Sequence, residues 1–180
     1  MAKKTLELIT VRSTLAAPHS GNWRVELEDP ARSVMTDFNE HSIISVAPTQ
    51  QIDEALEVMR HAGVRSAFVM DDKRSTVLGL ITAYDIMGEK PIRHLQVEGG
   101  AREDVIVSDI MDRAGDWHVA RLSEVDRATV GVVLDTFQKL GHTHLPVVEE
   151  DGKELRLRGV LSAAKLLRLT EAARRTAKKG

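Results

Sequence analysis

A chain of 180 residues, 42% apolar and 29% charged, can build one good core or two small ones and has the balance of an ordinary globular protein. Its formal net charge of −2 supplies no overall drive toward nucleic acid or an anionic membrane surface. The absence of cysteine excludes disulfides, thiol catalysis and thiolate metal sites.

The N-terminus opens with Lys3 and Lys4, but Glu7 and Arg12 interrupt the apolar stretch behind them, against a signal peptide. No run approaches the roughly 20 apolar residues that span a bilayer. Together with the missing cysteines, this leads to the expectation of a soluble, cytoplasmic protein. Residues 1–30 form an N-terminal extension. Ala16 to Asn22 reads as a loop. Trp23, Val25 and Leu27 alternate with Arg24, Glu26 and Glu28, which predicts a strand. Asp29-Pro30 ends it and starts a short helical piece through Met35.

A first unit occupies residues 31–88. Ile43 to Val46 is a short apolar strand, and Thr49 can cap the helix that follows. That helix carries Ile52, Leu56 and Met59 on one stripe and stops at Gly63, a C′ glycine. Ser66 to Met70 and Thr76 to Ile81 form a hairpin around a polar turn, and Thr82 opens a helix through Met87. Residues 89–103 read as a linker, with Pro91 and Gly99-Gly100 as breakers. The second unit, residues 104–170, runs the same course. Val107 to Met111 is helical, Trp117 to Leu122 a strand and Val125 to Leu140 a helix. Leu145 to Glu149 and Leu155 to Leu161 form the hairpin, and Ser162 opens a last helix. Gly131 in the second long helix suits close packing against another helix, across a dimer for example. Residues 171–180 are a basic tail, whose cations suit the helix dipole.

The second unit repeats the first. Gly63 and Gly79 recur as Gly141 and Gly159, at offsets of 78 and 80. Ile52, Ala55, Leu56 and Met59 fall on Val130, Val133, Leu134 and Phe137, and Met35 answers Met111. Each copy is strand, helix, strand, strand, helix, too small to be comfortable alone.

Gly79-Leu80-Ile81-Thr82-Ala83-Tyr84-Asp85 is the sharpest local feature. The glycine permits a close approach to the strand. Asp85, one turn into the helix, can accept two hydrogen bonds from a vicinal diol such as ribose, and Thr82 with the free N–H groups can meet a phosphate. The same Thr-x-x-Asp spacing is also a capping box, which needs no ligand. In the second copy Ser162 keeps the hydroxyl, but Lys165 replaces the acid, either to meet a phosphate or as a solvated helix residue. His142 and His144 can share a metal from one strand face or simply be polar edge residues. The acidic turns at Asp71-Asp72 and Glu149-Glu150-Asp151 read as solvated. No nucleophile–base set, P-loop lysine or G-x-G-x-x-G is present, so an enzyme is not expected.

The repeated Gly-h-h-Thr/Ser element, the Val34-Met35-Thr36 and Ile110-Met111 openings, and His144-Leu145-Pro146-Val147-Val148 resemble tandem cystathionine-β-synthase (CBS) domains, a Bateman module over about residues 31–170. The first copy departs at Ala67-Phe68-Val69-Met70. The resemblance implies an α+β fold of two βαββα repeats in a pseudo-twofold pair, with ligand clefts between the sheets. It implies binding of an adenine nucleotide (AMP, ADP or ATP), S-adenosylmethionine or NAD, and a regulatory role as a homodimer with an unidentified protein partner. Carried over, Asp85 takes ribose, with Thr82 and Ser162 near phosphate. Ile44, Ser45 and Val46 with Arg65, Ser66 and Ala67 line an adenine pocket, as do His118, Val119 and Ala120 with Thr143 and His144. Arg65 and His144 are candidates for phosphate. Lys165 departs from the pattern, so one competent cleft is expected. The alternative is a ligand-free scaffold for protein interaction or dimerisation, which Lys165 and the bulky Phe68 favour.

Overall fold

The computed structural model describes residues 14, 24–152 and 154–177, with side chains through residue 170. Trp23, the loop at 16–22 and the side chains of the basic tail lie outside the described residues.

The stripe of Ile52, Ala55 and Met59 makes α1 (Ile52–His61), with all three side chains buried. Gly63, at φ +67°, ends it as expected. The alternating and apolar runs around the polar turn make the hairpin β3 (Ser66–Met70) and β4 (Val77–Thr82), and α2 (Ala83–Met87) follows directly. The second copy gives α5 (Leu122–Val125), α6 (Val130–Leu140), the hairpin β7 (His144–Asp151) and β8 (Glu154–Ser162), and α7 (Ala163–Ala177). One short parallel strand forms an edge of each sheet: β2 (Ser45–Val46) beside β3, and β6 (Ala120–Arg121) beside β7.

The fourth strand of each sheet comes from the other repeat. Thr36–Asp37, here β1, leads into the first repeat but pairs antiparallel with β8 of the second, Thr36 opposite Val160 and Asp37 opposite Gly159. Asp112–Arg113, here β5, leads into the second repeat but pairs with β4 of the first, Gly79 opposite Arg113 and Leu80 opposite Asp112. The sheets therefore run β2-β3-β4-β5 and β1-β8-β7-β6. Both cores are shared in the same way. Ala31, Val34 and Met35 are buried with the second repeat, and Val105, Val107 and Ile110 with the first.

The two repeated glycines make room for the donated strands. A Cβ on Gly79 would sit 2.6 Å from the Asp112 carbonyl oxygen and 2.9 Å from Met111 Sδ; on Gly159 it would sit 2.5 Å from the Thr36 carbonyl oxygen. What approaches the glycine is the neighbouring repeat.

Several expectations are corrected. Residues 24–28 form no strand. Asp29 N–H donates to the Glu26 carbonyl in a turn, while the carbonyls of Leu27 and Asp29 accept from Gly131 and Val130 at the start of α6. Within the chain, Gly131 thus lies against the Leu27 backbone, where its Cβ would be 3.3 Å from the carbonyl oxygen. Thr49 does not cap α1. Gln51 holds that position without a side-chain cap, and the start of the second unit supplies an acceptor, with Ile52 N–H donating to the Val105 carbonyl. The linker is largely helical: α3 (Lys90–Glu98) has Pro91 in its first turn, where a missing N–H costs nothing. The long helix expected from Val125 is broken at 126–129 into α5 and α6. The helix expected over Val107 to Met111 is present as α4 (Val107–Ile110) and precedes β5.

A buried ion network clamps β1 onto β8. Asp37, 6% exposed, accepts from Arg158 at 2.8 and 2.9 Å, from Arg32 at 3.1 Å and from the Asn39 N–H at 2.9 Å. The Arg158 guanidinium and the Asn39 hydrogen bond hold the Asp37 carboxyl well below the usual carboxylate range.

Two tests follow from this architecture. Gly79→Ala and Gly159→Ala will each destabilise by about 1–3 kcal/mol or more in urea unfolding. Gly115→Ala, which meets nothing within 4 Å, will stay within about 0.5 kcal/mol of the parent. Because the folded Asp37 is depressed, its contribution is complete above its ordinary 3.8 and is lost as pH falls below that toward the folded value. Urea midpoints measured downward from about pH 5 will show this acid loss in the parent and a shallower slope in Asp37→Asn.

Candidate ligand cleft between the repeats

Thr82 and Asp85 form a complete capping box. Thr82 N–H and Oγ1–H both donate to Asp85 Oδ2, at 2.8 and 2.7 Å, and Asp85 N–H donates to Thr82 Oγ1 at 3.1 Å. The other carboxylate oxygen, Oδ1, receives Lys90 Nζ at 2.8 Å. Lys90 also donates to Asp112 Oδ1 at 2.6 Å and to the Ile110 carbonyl at 3.2 Å. Burial pulls the Lys90 ammonium down, and its hydrogen bonds to Asp112 and Asp85 more than offset this, leaving it above its ordinary value. One ammonium thus ties α2, α3 and the donated strand β5 together.

Asp85 opens onto a cleft of about 640 Å³ whose opposite wall belongs to the second repeat. Leu80, Met111, Asp112 and Arg113 flank Asp85 and Lys90 on one side. Asp116, Trp117 and His118, with Gly141 to His144 and Pro146, form the other. The His118 and His142 rings lie 5.6 Å apart. Burial pushes the His144 imidazole below its usual value, against the raising effect of Asp85 and Asp112. Among the described residues no three His, Cys, Asp or Glu side chains converge as metal ligands would.

The sequence candidates fall into separate places. Thr82, Asp85, His118, Thr143 and His144 gather at the end of β4 and the start of β7, with Thr82 buried beneath the cap. Ile44 and Ser45 border a different depression, beside Val58 and His61 of α1. The side chains of Val46 and Ala67 are inside the first core. Ser66 stands opposite Thr82 in the hairpin, and Arg65 reaches outward to the Tyr84 hydroxyl at 3.4 Å. Val119 lines a second cavity of about 800 Å³ toward the hairpin turns, and Ala120 lies in β6. Trp117 borders both cavities. Phe68 fills the space between the sheets, edge-on to Phe38 and Trp117 at 5.5 and 6.1 Å.

The pseudo-equivalent position in the second repeat is built differently. Ser162 Oγ accepts from Lys165 N–H at 3.5 Å, a weak cap. Lys165 Nζ reaches the Met35 carbonyl at 3.4 Å and Thr36 Oγ1 at 3.3 Å, both at the donated strand β1. Burial and then the nearby Arg168 lower its pKa. Sequence reasoning missed Lys90, Asp112 and Trp117. Asp112 adjoins the recognised Met111, but nothing in the local pattern joins it to Asp85.

Family comparison agrees with this architecture: the CBS-domain model matches residues 31–91 and 107–171. The chain belongs to the CBS-domain family. As a CBS pair it superimposes on an uncharacterized conserved protein from Pyrococcus horikoshii, 26% identical, at a TM-score of 0.56 over 83% of this chain and 95% of that one. It also matches CBSX2, a CBS-pair protein from Arabidopsis thaliana, 24% identical, at a TM-score of 0.52 over 84% of this chain and 98% of that one. A structure of CBSX2 in complex with AMP matches at 23% identity and a TM-score of 0.54, over 83% of this chain and 98% of that one. No curated protein sequence matches. Among the described residues, no helix is long and apolar enough to cross a membrane.

The His144 environment makes a measurable statement. Its folded pKa lies below 6.5, so its contribution to stability is complete above 6.5 and declines as pH falls below it. Its ring resonances, followed by NMR, will titrate below 6.5, and further below in Asp112→Asn, which removes one of the charges holding it up.

Proposed function

We propose that this CBS pair is a regulatory module that binds an adenosine ligand in the cleft between Asp85 and His144, with AMP the first candidate. The carrying observation is the position of Asp85. A carboxylate, its side chain 15% exposed, stands at the start of a helix beside a cleft of about 640 Å³, within the size range of small-molecule sites. The solved CBSX2–AMP complex makes AMP the natural probe. The lining charges point the same way: Asp85, Asp112 and Asp116 outnumber Lys90 and Arg113, which suits a monophosphate better than a triphosphate. Binding regulates only if it favours one of two arrangements of the pair.

The partner surface is a second copy of the chain. Tyr84 and Met87 on α2 are 63% and 64% exposed, and Leu167, the counterpart of Met87 on α7, is 47% exposed. Apolar residues on these helical faces suit a homodimer formed through helices.

A second reading, a ligand-free interaction scaffold, is favoured by one observation: both oxygens of Asp85 already have partners within the protein. Thermal unfolding with AMP, ADP, ATP, S-adenosylmethionine and NAD separates the two readings. A ligand at about 100 times its Kd adds roughly 2.7 kcal/mol, a rise of about 5–10 °C at this size. AMP will produce that rise, and Asp85→Ala will lose it although its own Tm falls with the cap. No shift with any of the five supports the scaffold.

A further inference from the structure

The binding capacity of Asp85 is limited. A carboxylate offers about four lone-pair positions, two on each oxygen. Oδ2 spends its pair on Thr82 N–H and Thr82 Oγ1–H, and Oδ1 gives one to Lys90. One position remains, and a vicinal diol that donates both hydroxyl protons needs two. The box cannot yield without uncapping α2, whereas Lys90 keeps Asp112 and the Ile110 carbonyl when it leaves Asp85.

We propose that Lys90 is the specificity-determining residue of the cleft, competing with the ribose diol for Asp85 Oδ1 and turning its released ammonium to the ligand phosphate. This rests on the adenosine-ligand reading above. A diol without phosphate displaces Lys90 and gives it nothing in return. A nucleoside monophosphate displaces it and repartners it with a charge-assisted hydrogen bond.

The second repeat supports the assignment. Lys165 Nζ lies on the Met35 carbonyl and Thr36 Oγ1, and Lys90 Nζ on the Ile110 carbonyl and Asp112 Oδ1. Each half of the molecule therefore places an ammonium against its donated strand. Only in the first half does that ammonium share a carboxylate at the helix start, so only there does it compete with a diol.

Affinities for AMP and adenosine, measured by titration calorimetry at one pH and ionic strength, test this. Lys90→Met frees Asp85 and removes the phosphate partner, so adenosine binds more tightly and AMP more weakly. The preference for AMP over adenosine falls at least about tenfold. Asp112→Asn leaves Asp85 as the only carboxylate on Lys90 and removes a charge that repels phosphate, so the preference rises. A merely structural role would move both ligands together. Equal shifts, or none, in both variants overturn the assignment while leaving the adenosine reading intact. If the parent binds neither ligand, the adenosine reading fails and this assignment falls with it. Should Lys90→Met not fold, Lys90→Gln, which also removes the ammonium, decides in its place: a fall in the ratio supports the assignment and an unchanged or higher ratio overturns it.

Discussion

Reciprocal donation of two short strands is the constraint on which the rest depends. Without β5, the edge of β4 would expose unpaired backbone, and without β1 the same would hold for β8. Each donated strand is only two residues long, too little to hold by hydrogen bonds alone. It is held by the residues around it: Met35 and Met111 at the glycines, Val34 and Ile110 in the opposite cores, and the Asp37–Arg158 pair. Neither repeat has a finished sheet or core by itself, so the pair is one unit.

The same donation builds the cleft. β5 brings Asp112 beside Asp85, and β1 brings Thr36 beside Lys165. The site's far wall comes from the second repeat because the sheets face one another, which puts His144 in the cleft of Asp85. The pseudo-symmetry sets equivalent positions, and the side chains then break it. One half carries an acid, a lysine and a second acid; the other carries a lysine on a carbonyl and a hydroxyl. The strong ion network sits on the opposite half, where Asp37 and Arg158 cross from β1 to β8. One half of the molecule is thus clamped by charge and the other presents charge to a cavity.

Much of this was legible in the sequence. The duplication, the stripe of α1, both hairpins and the Thr82–Asp85 element follow from spacing, because local periodicity and capping act within one element. The donated strands were not legible, since two residues carry no period. The alternation over residues 24–28 misled because backbone contacts with the start of α6 override a weak local preference. Pro91 looks like a breaker in sequence, but the first helical turn tolerates it. At the site, Asp85 and His144 stood out as motif residues, but which repeat's hairpin would face Asp85 is a matter of topology. Lys90 was invisible for the same reason: its partners, Asp85 and Asp112, meet only through the donated strand.

On the proposed reading, two similar repeats build one cleft able to hold an adenosine ligand, across the repeats and on the Asp85 side. The stoichiometry of AMP binding, by titration calorimetry on the parent chain, tests it most directly. One AMP per chain is expected. Two per chain would contradict the asymmetry between Asp85 and Lys165, and none would contradict the cleft as a nucleotide site.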